Sequence, residues 1–214
     1  VSSPQIDPQV MQMYLQMGQT PCEPPEVFGG VEQILRGQSY QVRRVQIAED
    51  SPIPEEASTL VVLTPRNLND RQRYEINRFV QMGGNVIMAV QNYEFQYTPA
   101  RQGGFNFTPQ KINTGADPLL DGWGIEVSDG ILMDNNNEVL GIPSERNVGG
   151  LRLQVSEPVQ APMHVKVTQD QMNPDTSITN GLADLLYLWG SRLEIDYDEL
   201  AANELVPVPL FTTS

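Results

Sequence analysis

The stretch from Thr59 to Val90 limits the possible folds more than any other part of the chain. Thr59-Leu60-Val61-Val62-Leu63 is a short, continuous apolar run, which suits a strand covered on both faces. Thr64-Pro65-Arg66 breaks it. Asn69 is a good helix N-cap, and Asp70 favours the positive end of the helix that follows. Tyr74, Ile76, Phe79 and Val80 supply the apolar side of that helix, although Tyr74 and Ile76 do not share one narrow stripe. Gly83-Gly84 provides a left-handed stop. Asn85 to Val90 is then a second buried strand. Strand, helix and strand joined by short connections form a βαβ unit, with parallel strands and a right-handed crossover. The expected class is α/β.

Before this unit, Val10, Met13, Tyr14 and Met17 fall on one helical face. Thr20-Pro21-Cys22-Glu23-Pro24-Pro25 must be extended, because each proline restricts the residue before it. Val31, Ile34 and Leu35 suggest a helix ending near Gly37, and Tyr40 to Ile47 reads as a strand. After Val90, Tyr93, Phe95 and Tyr97 alternate, and so do Phe105 and Phe107, around Ala100–Gly104 as a reversal: an aromatic hairpin. Asp117 caps a short helix with Pro118 at its first position, Leu119 and Leu120 buried, and Gly122 or Gly124 at its end. Ile125–Val127, Ile131–Met133, Leu151–Val155 and His164–Val167 read as strands. Leu182 to Trp189 fits a helix or a strand equally. Asp198 to Asn203 is helix-like, and Val206 to Phe211 is an edge strand, given Pro207 and Pro209. The domains are therefore an N-terminal helix with a proline-rich lead-in over residues 1–29 and a single α/β domain over 30–214. The aromatic insertion occupies about 92–116.

Composition narrows the chemistry. The chain has 214 residues and a formal net charge of −14. That balance excludes an electrostatic grip on bare nucleic acid or an anionic membrane. There is one cysteine, Cys22, and one histidine, His164. No intramolecular disulfide and no zinc site of several cysteines is available. No run approaches the length of a membrane span. The start at Val1-Ser2-Ser3-Pro4 and the finish at Leu210–Ser214 read as the cut ends of a soluble region of a longer protein.

Motif by motif, little points to catalysis. An amidotransferase nucleophile needs a cysteine at a strand-to-helix turn with a histidine nearby; the position after Val86–Val90 holds Gln91-Asn92. A Cys22–His164 dyad is the one formal alternative and would make the chain an amidotransferase-like or hydrolase enzyme. No phosphate-binding Gly-x-x-x-x-Gly-Lys-Ser/Thr run and no dinucleotide fingerprint is present. Asp134-Asn135-Asn136-Asn137-Glu138 alternates oxygen ligands but lacks the glycine of a calcium-binding EF-hand loop. Asp196, Asp198 and Glu199 read as a helix start, and Glu194 with Asp196 is one carboxylate pair among many. No catalytic, cofactor or metal residue is assigned. The insertion from Tyr93 to Phe107 begins at the C-terminal end of a central strand, where open α/β sheets bind ligands. It is either a protein- or glycan-binding surface or a cover for the sheet edge.

Four stretches carry a resemblance. Ile53-Pro54 leads into Thr59–Leu63 and Thr64-Pro65. Leu68-Asn69-Asp70 runs through Phe79-Val80-Gln81-Met82-Gly83-Gly84-Asn85-Val86-Ile87. Pro118–Ile125 precedes Ile131-Leu132-Met133-Asp134. Ser177–Leu182 precedes the closing Leu210–Ser214. Together they resemble the GldG-like family of ABC-transporter auxiliary proteins, related to a domain of intraflagellar-transport proteins, over about residues 30–214. The resemblance implies a Rossmann-like, glutamine amidotransferase-like three-layer sandwich with a mostly parallel sheet and no amidotransferase chemistry. It implies a membrane-anchored, extracytoplasmic (periplasmic) domain that accompanies ABC permease and ATPase subunits in gliding-motility or secretion systems. It also favours a strand at Leu185–Trp189. Where that family has an acidic residue beyond the second buried strand, this chain has Gln91-Asn92.

Overall fold

The computed structural model describes residues 28–99, 105–148 and 151–213. The chain divides between Val90 and Gln91 into two compact units. The Val10–Met17 helix, Cys22 and the Ala100–Gly104 reversal lie outside the described residues.

The first unit contains α1 (Gly29–Gly37), β1 (Thr59–Leu63), α2 (Asp70–Gln81) and β2 (Asn85–Ala89). Its centre is the expected βαβ unit. β1 and β2 pair in parallel, from Thr59 opposite Asn85 to Leu63 opposite Ala89. Asn69 caps α2 through a full capping box: its side chain accepts from the Gln72 backbone, and the Gln72 side chain accepts from the Asn69 backbone. Two of the helix's orphan donors are thereby satisfied. Gly83 takes φ +88°, closing the helix. A Cβ on Gly84 would stand 2.4 Å from the Phe79 ring, so strand and helix approach too closely here for any side chain. Ile53, Leu60, Val62, Ile76 and Phe79 form the buried set.

Two expectations fail in this unit. β2 is only half covered, with Ile87 58% exposed, because among the described residues its sheet has two strands and none flanks β2 on its other side. Residues 40–47 join no ladder among the described residues. Their arginines reach outward instead, Arg43 to Glu56 at 3.3 Å and Arg44 to Glu32 at 2.8 Å, so side-chain ion pairs anchor this segment.

The second unit contains β3 (Tyr93–Pro99), β4 (Phe105–Lys111), α3 (Asp117–Asp121), β5 (Ile125–Val127), β6 (Asn137–Val148), β7 (Leu151–Val167), β8 (Leu185–Leu188), β9 (Leu193–Ile195) and α4 (Tyr197–Ala202). A 3₁₀ turn, Gln169–Gln171, follows β7. β3 and β4 form the aromatic hairpin. Ile112 donates to the Asn92 carbonyl at 2.8 Å, which makes that pair a hydrogen-bonded one. Alternation then puts Pro109, opposite Phe95, in the set that exchanges no hydrogen bonds, so the hairpin tolerates its proline. β5 pairs with β9, and β6, β7 and β8 form an antiparallel sheet in that order. Val165, Val167 and Met172 are its core, with Leu132, Tyr187 and Phe211 packed against them.

Here too the chain departs from expectation. Leu151–Val155 and His164–Val167 are the two ends of one long strand, β7. Leu185–Leu188 is a strand, resolving the helix-or-strand ambiguity. Ile131–Met133 joins no strand: Leu132 donates once, to the Gly190 carbonyl, and the chain turns at Asp134. Val206–Phe211 is irregular: Pro207 and Pro209 remove two donors, and the segment meets Met172 through a bridge at Phe211 rather than a ladder. Asp117 is the first residue of α3, with Ala116 at the cap and Pro118 one position later than expected.

Candidate functional site

The hairpin is tied down at its base by polar contacts. Tyr93 and Lys111 face each other across the first ladder position. Both donate to one carboxylate, Asp129: the Tyr93 hydroxyl to Oδ1 and Lys111 Nζ to Oδ2, each at 2.9 Å. Lys111 first, then Tyr93, holds the Asp129 carboxyl below its usual range, and the same contacts raise both partners. One residue before the hairpin, the buried Asn92 donates its side-chain amide to the Val127 carbonyl at 3.2 Å. A carboxylate at this position has no proton to donate. In the Gln91-Asn92 pair that follows β2, Asn92 thus has a structural task.

Above the base, Phe95 stacks on Trp189 with ring centroids 4.3 Å apart and planes at 30°. Trp189 meets the edge of His164 at 5.6 Å and 78°. Three residues distant in sequence therefore form one aromatic group. Trp189 sits at φ +55°, an uncommon conformation for a bulky side chain. Its neighbourhood holds it there. The Trp189 backbone donates to the Met163 carbonyl at 3.0 Å, and Leu132 donates to the Gly190 carbonyl at 2.8 Å. Ser191, buried, donates to the Gly130 carbonyl at 2.8 Å. The Tyr187 hydroxyl donates to the Ser191 carbonyl at 3.0 Å, and burial raises its pKa. The ring of Tyr187 also lies where a Cβ on Gly190 would be.

The other residues marked by the sequence are placed as follows. His164 is half-buried on β7 beside Trp189, and among the described residues no hydrogen bond orients it as a base. Cys22 lies outside the described residues. In the Asp134–Glu138 run, Asp134 accepts from the Asn136 backbone at 2.8 Å, and Asn136 donates to the Lys166 carbonyl at 2.8 Å. These contacts close the base of the β6–β7 pair. Asp196 caps α4 by accepting from the backbones of Asp198 and Glu199, each at 3.0 Å. Among the described residues, no group of three or more His, Cys, Asp and Glu side chains is placed to hold a metal ion. None of the described helices is long and apolar enough to cross a membrane.

In the first unit, Thr64 follows β1 at φ +40°, on the connection that leads to the Asn69 cap of α2. A shallow cleft there is lined by residues 46–49 with Asn69, Arg71 and Gln72. On α2, the buried Glu75 is gripped from both sides, by Arg71 at 2.7 Å and Arg78 at 2.8 Å. The arginine-rich face therefore neutralises its own carboxylate.

The model of the family described as an ABC-type uncharacterized transport system, ABC_transp_aux, matches residues 18–214. The chain belongs to that family. It is an auxiliary component of an ABC-type transport system, consistent with the GldG-like resemblance. No curated protein and no solved structure matches the chain. The ABC_transp_aux match spans both units, so the aromatic group and the hairpin base lie within the family domain.

Sequence reasoning missed two parts of this site in the ABC_transp_aux chain. Asp129 lies between the expected strands Ile125–Val127 and Ile131–Met133 with no local partner to mark it, and only the hairpin's return brings Tyr93 and Lys111 to it. Trp189 gave one signal, the following Gly190, which marks a turn.

Proposed function

We propose that this chain is a non-catalytic recognition domain of its transport system. Membrane anchoring would come through flanking segments, with the domain on the extracytoplasmic side beside a permease, in a gliding-motility or secretion-type system. Its fold would be a Rossmann-like, amidotransferase-like sandwich, for which the parallel β1–β2 pair linked by α2 is the supporting element. The β3–β4 hairpin is the recognition element. The observation that carries this reading is its anchoring: Asp129 and Asn92 clamp the base, and Phe95 is stacked on Trp189. A clamped hairpin presents its exposed residues with little ordering cost on binding. Glu94, Gln96 and Thr108 are exposed along it.

The test is site-specific photo-crosslinking in cells. A photoreactive amino acid at Gln96 or Thr108 is expected to capture a permease or ATPase subunit of the system. The same group at exposed Asp50, in the other unit, is the reference. Absence of transporter subunits from the Gln96 and Thr108 adducts, with the protein correctly folded, overturns the recognition role.

A further inference from the structure

After α4 the chain runs as an irregular segment, Leu205–Leu210, that is fixed at both ends. At the near end α4 closes in a Schellman turn. Glu204 takes φ +56°, its backbone donates to the Ala201 carbonyl at 3.2 Å, and Leu205 donates to the Leu200 carbonyl at 2.8 Å. At the far end, Asn173 donates its backbone N–H to the Leu210 carbonyl at 2.8 Å and its side-chain amide to the Pro209 carbonyl at 3.0 Å. Phe211 then bridges Met172 and meets the Tyr187 ring at 5.8 Å.

Between these anchors the backbone has little freedom. Pro207 and Pro209 fix their own φ near about −65°, and they keep Val206 and Val208 out of helical backbone. Such a sequence favours polyproline II, a left-handed extended helix of three residues per turn. Burial along the segment follows that period rather than a strand's period of two. Leu205, Val206, Val208 and Pro209 are exposed, whereas Pro207 and Leu210 are half-buried. Pro207 and Leu210, three apart, form the edge turned towards the protein. Two apolar edges are left to solvent. Leu205 and Val208 form one, at 43% and 56% exposed, and Val206, at 83%, forms the other with Pro209. Val206 and Pro209 are about 9 Å apart along the axis.

We propose that Leu205–Pro209 is a ligand: it docks in a groove lined by aromatic rings on a partner protein. Such grooves are the surfaces that take a polyproline II edge. Pre-ordering favours this use. With both ends fixed and two prolines between them, little conformational freedom remains to be lost on binding. Charge specifies the partner further. Residues 193–214 carry five acidic residues and no Lys or Arg. The groove that complements them has a rim of Lys or Arg beside its aromatic rings. A second copy would set two such acidic regions against each other, and an anionic membrane surface would repel them. This contact is separate from that of the hairpin, and neither depends on the other.

Photo-crosslinking in cells tests it, with the photoreactive residue at Val208 and, as the reference, at exposed Glu126 on β5. The Val208 adduct is expected to join a protein whose linked peptide, read by mass spectrometry, contains Trp or Tyr together with Lys or Arg. Val206→Asp in the same chain should lower the adduct yield at least about tenfold. Pro207→Ala with Pro209→Ala, which frees the backbone, should lower it about fivefold. The milder Val206→Ser keeps both prolines and changes an exposed side chain, so a folding defect in the proline variant does not remove the test; about a threefold loss is expected. Absence of a Val208 adduct above the Glu126 reference overturns the proposal. So does an adduct to lipid or to a second copy, or one whose yield Val206→Asp and Val206→Ser leave at the wild-type level.

Discussion

Asn92 donates its side-chain amide to the backbone carbonyl of Val127 at 3.2 Å, joining the start of the aromatic hairpin to β5. The bond runs from amide to carbonyl, and that direction decides which residue fits.

Asn92→Asp removes the donor and sets a carboxylate against a carbonyl oxygen in a buried position. A cost of about 1–3 kcal/mol is expected. Urea unfolding followed by circular dichroism measures it. A change below about 0.5 kcal/mol, the level of an ordinary surface substitution, would mean that the bond contributes nothing.

Phe95→Ala removes the ring stacked on Trp189. The aromatic pairing and part of the burial disappear, a loss of about 1–2 kcal/mol for a half-buried pair. With Trp123 replaced by Phe, the emission of Trp189 should shift to longer wavelength as water reaches its face. An unshifted spectrum would show that the stack does not exist in solution.

Glu75→Gln leaves Arg71 and Arg78 facing a neutral amide, one end of which is itself a donor. Glu75 is buried, but both arginines are partly exposed, so about 1–2 kcal/mol is expected rather than the larger cost of a fully buried pair. Glu56→Gln, which breaks the exposed pair with Arg43, should cost under about 0.5 kcal/mol. Equal effects of the two substitutions would refute the burial argument.

Asp129 makes the hairpin base sensitive to acid. Its folded pKa is lowered, by Lys111 first and then Tyr93, so its contribution is present above the unfolded carboxylate pKa. That contribution is lost as pH falls through the lower folded value. Lys111 and Tyr93 are raised, so theirs is present below their ordinary pKa values and lost as pH climbs through the raised ones. Amide exchange in β3 and β4, corrected for its intrinsic pH dependence, should show protection at neutral pH that declines in acid. In Asp129→Asn the protection should start lower and change less. Identical acid profiles in the two proteins would rule out the clamp.

Local chemistry made the first unit legible. The Thr59–Leu63 run, the Asn69 cap and Gly83-Gly84 each act on neighbours a few residues away, and strand, helix and strand follow in order. Alternating aromatics likewise announced the β3–β4 hairpin. The same local logic failed for residues 40–47 and 206–211, because an extended segment becomes a strand only when another strand offers it a ladder. In the second of these, proline had already removed the donors.

The sequence by itself determined the family, the βαβ unit, the aromatic insertion and the scarcity of cysteine and histidine. Only the tertiary structure decided what those parts meet. It placed Phe95 against Trp189, gave the Asn92 side chain the Val127 carbonyl, and made Asp129 the anchor of a hairpin. Propensity and capping are set within a few residues of chain. A contact between residues dozens apart depends on the path of everything between them.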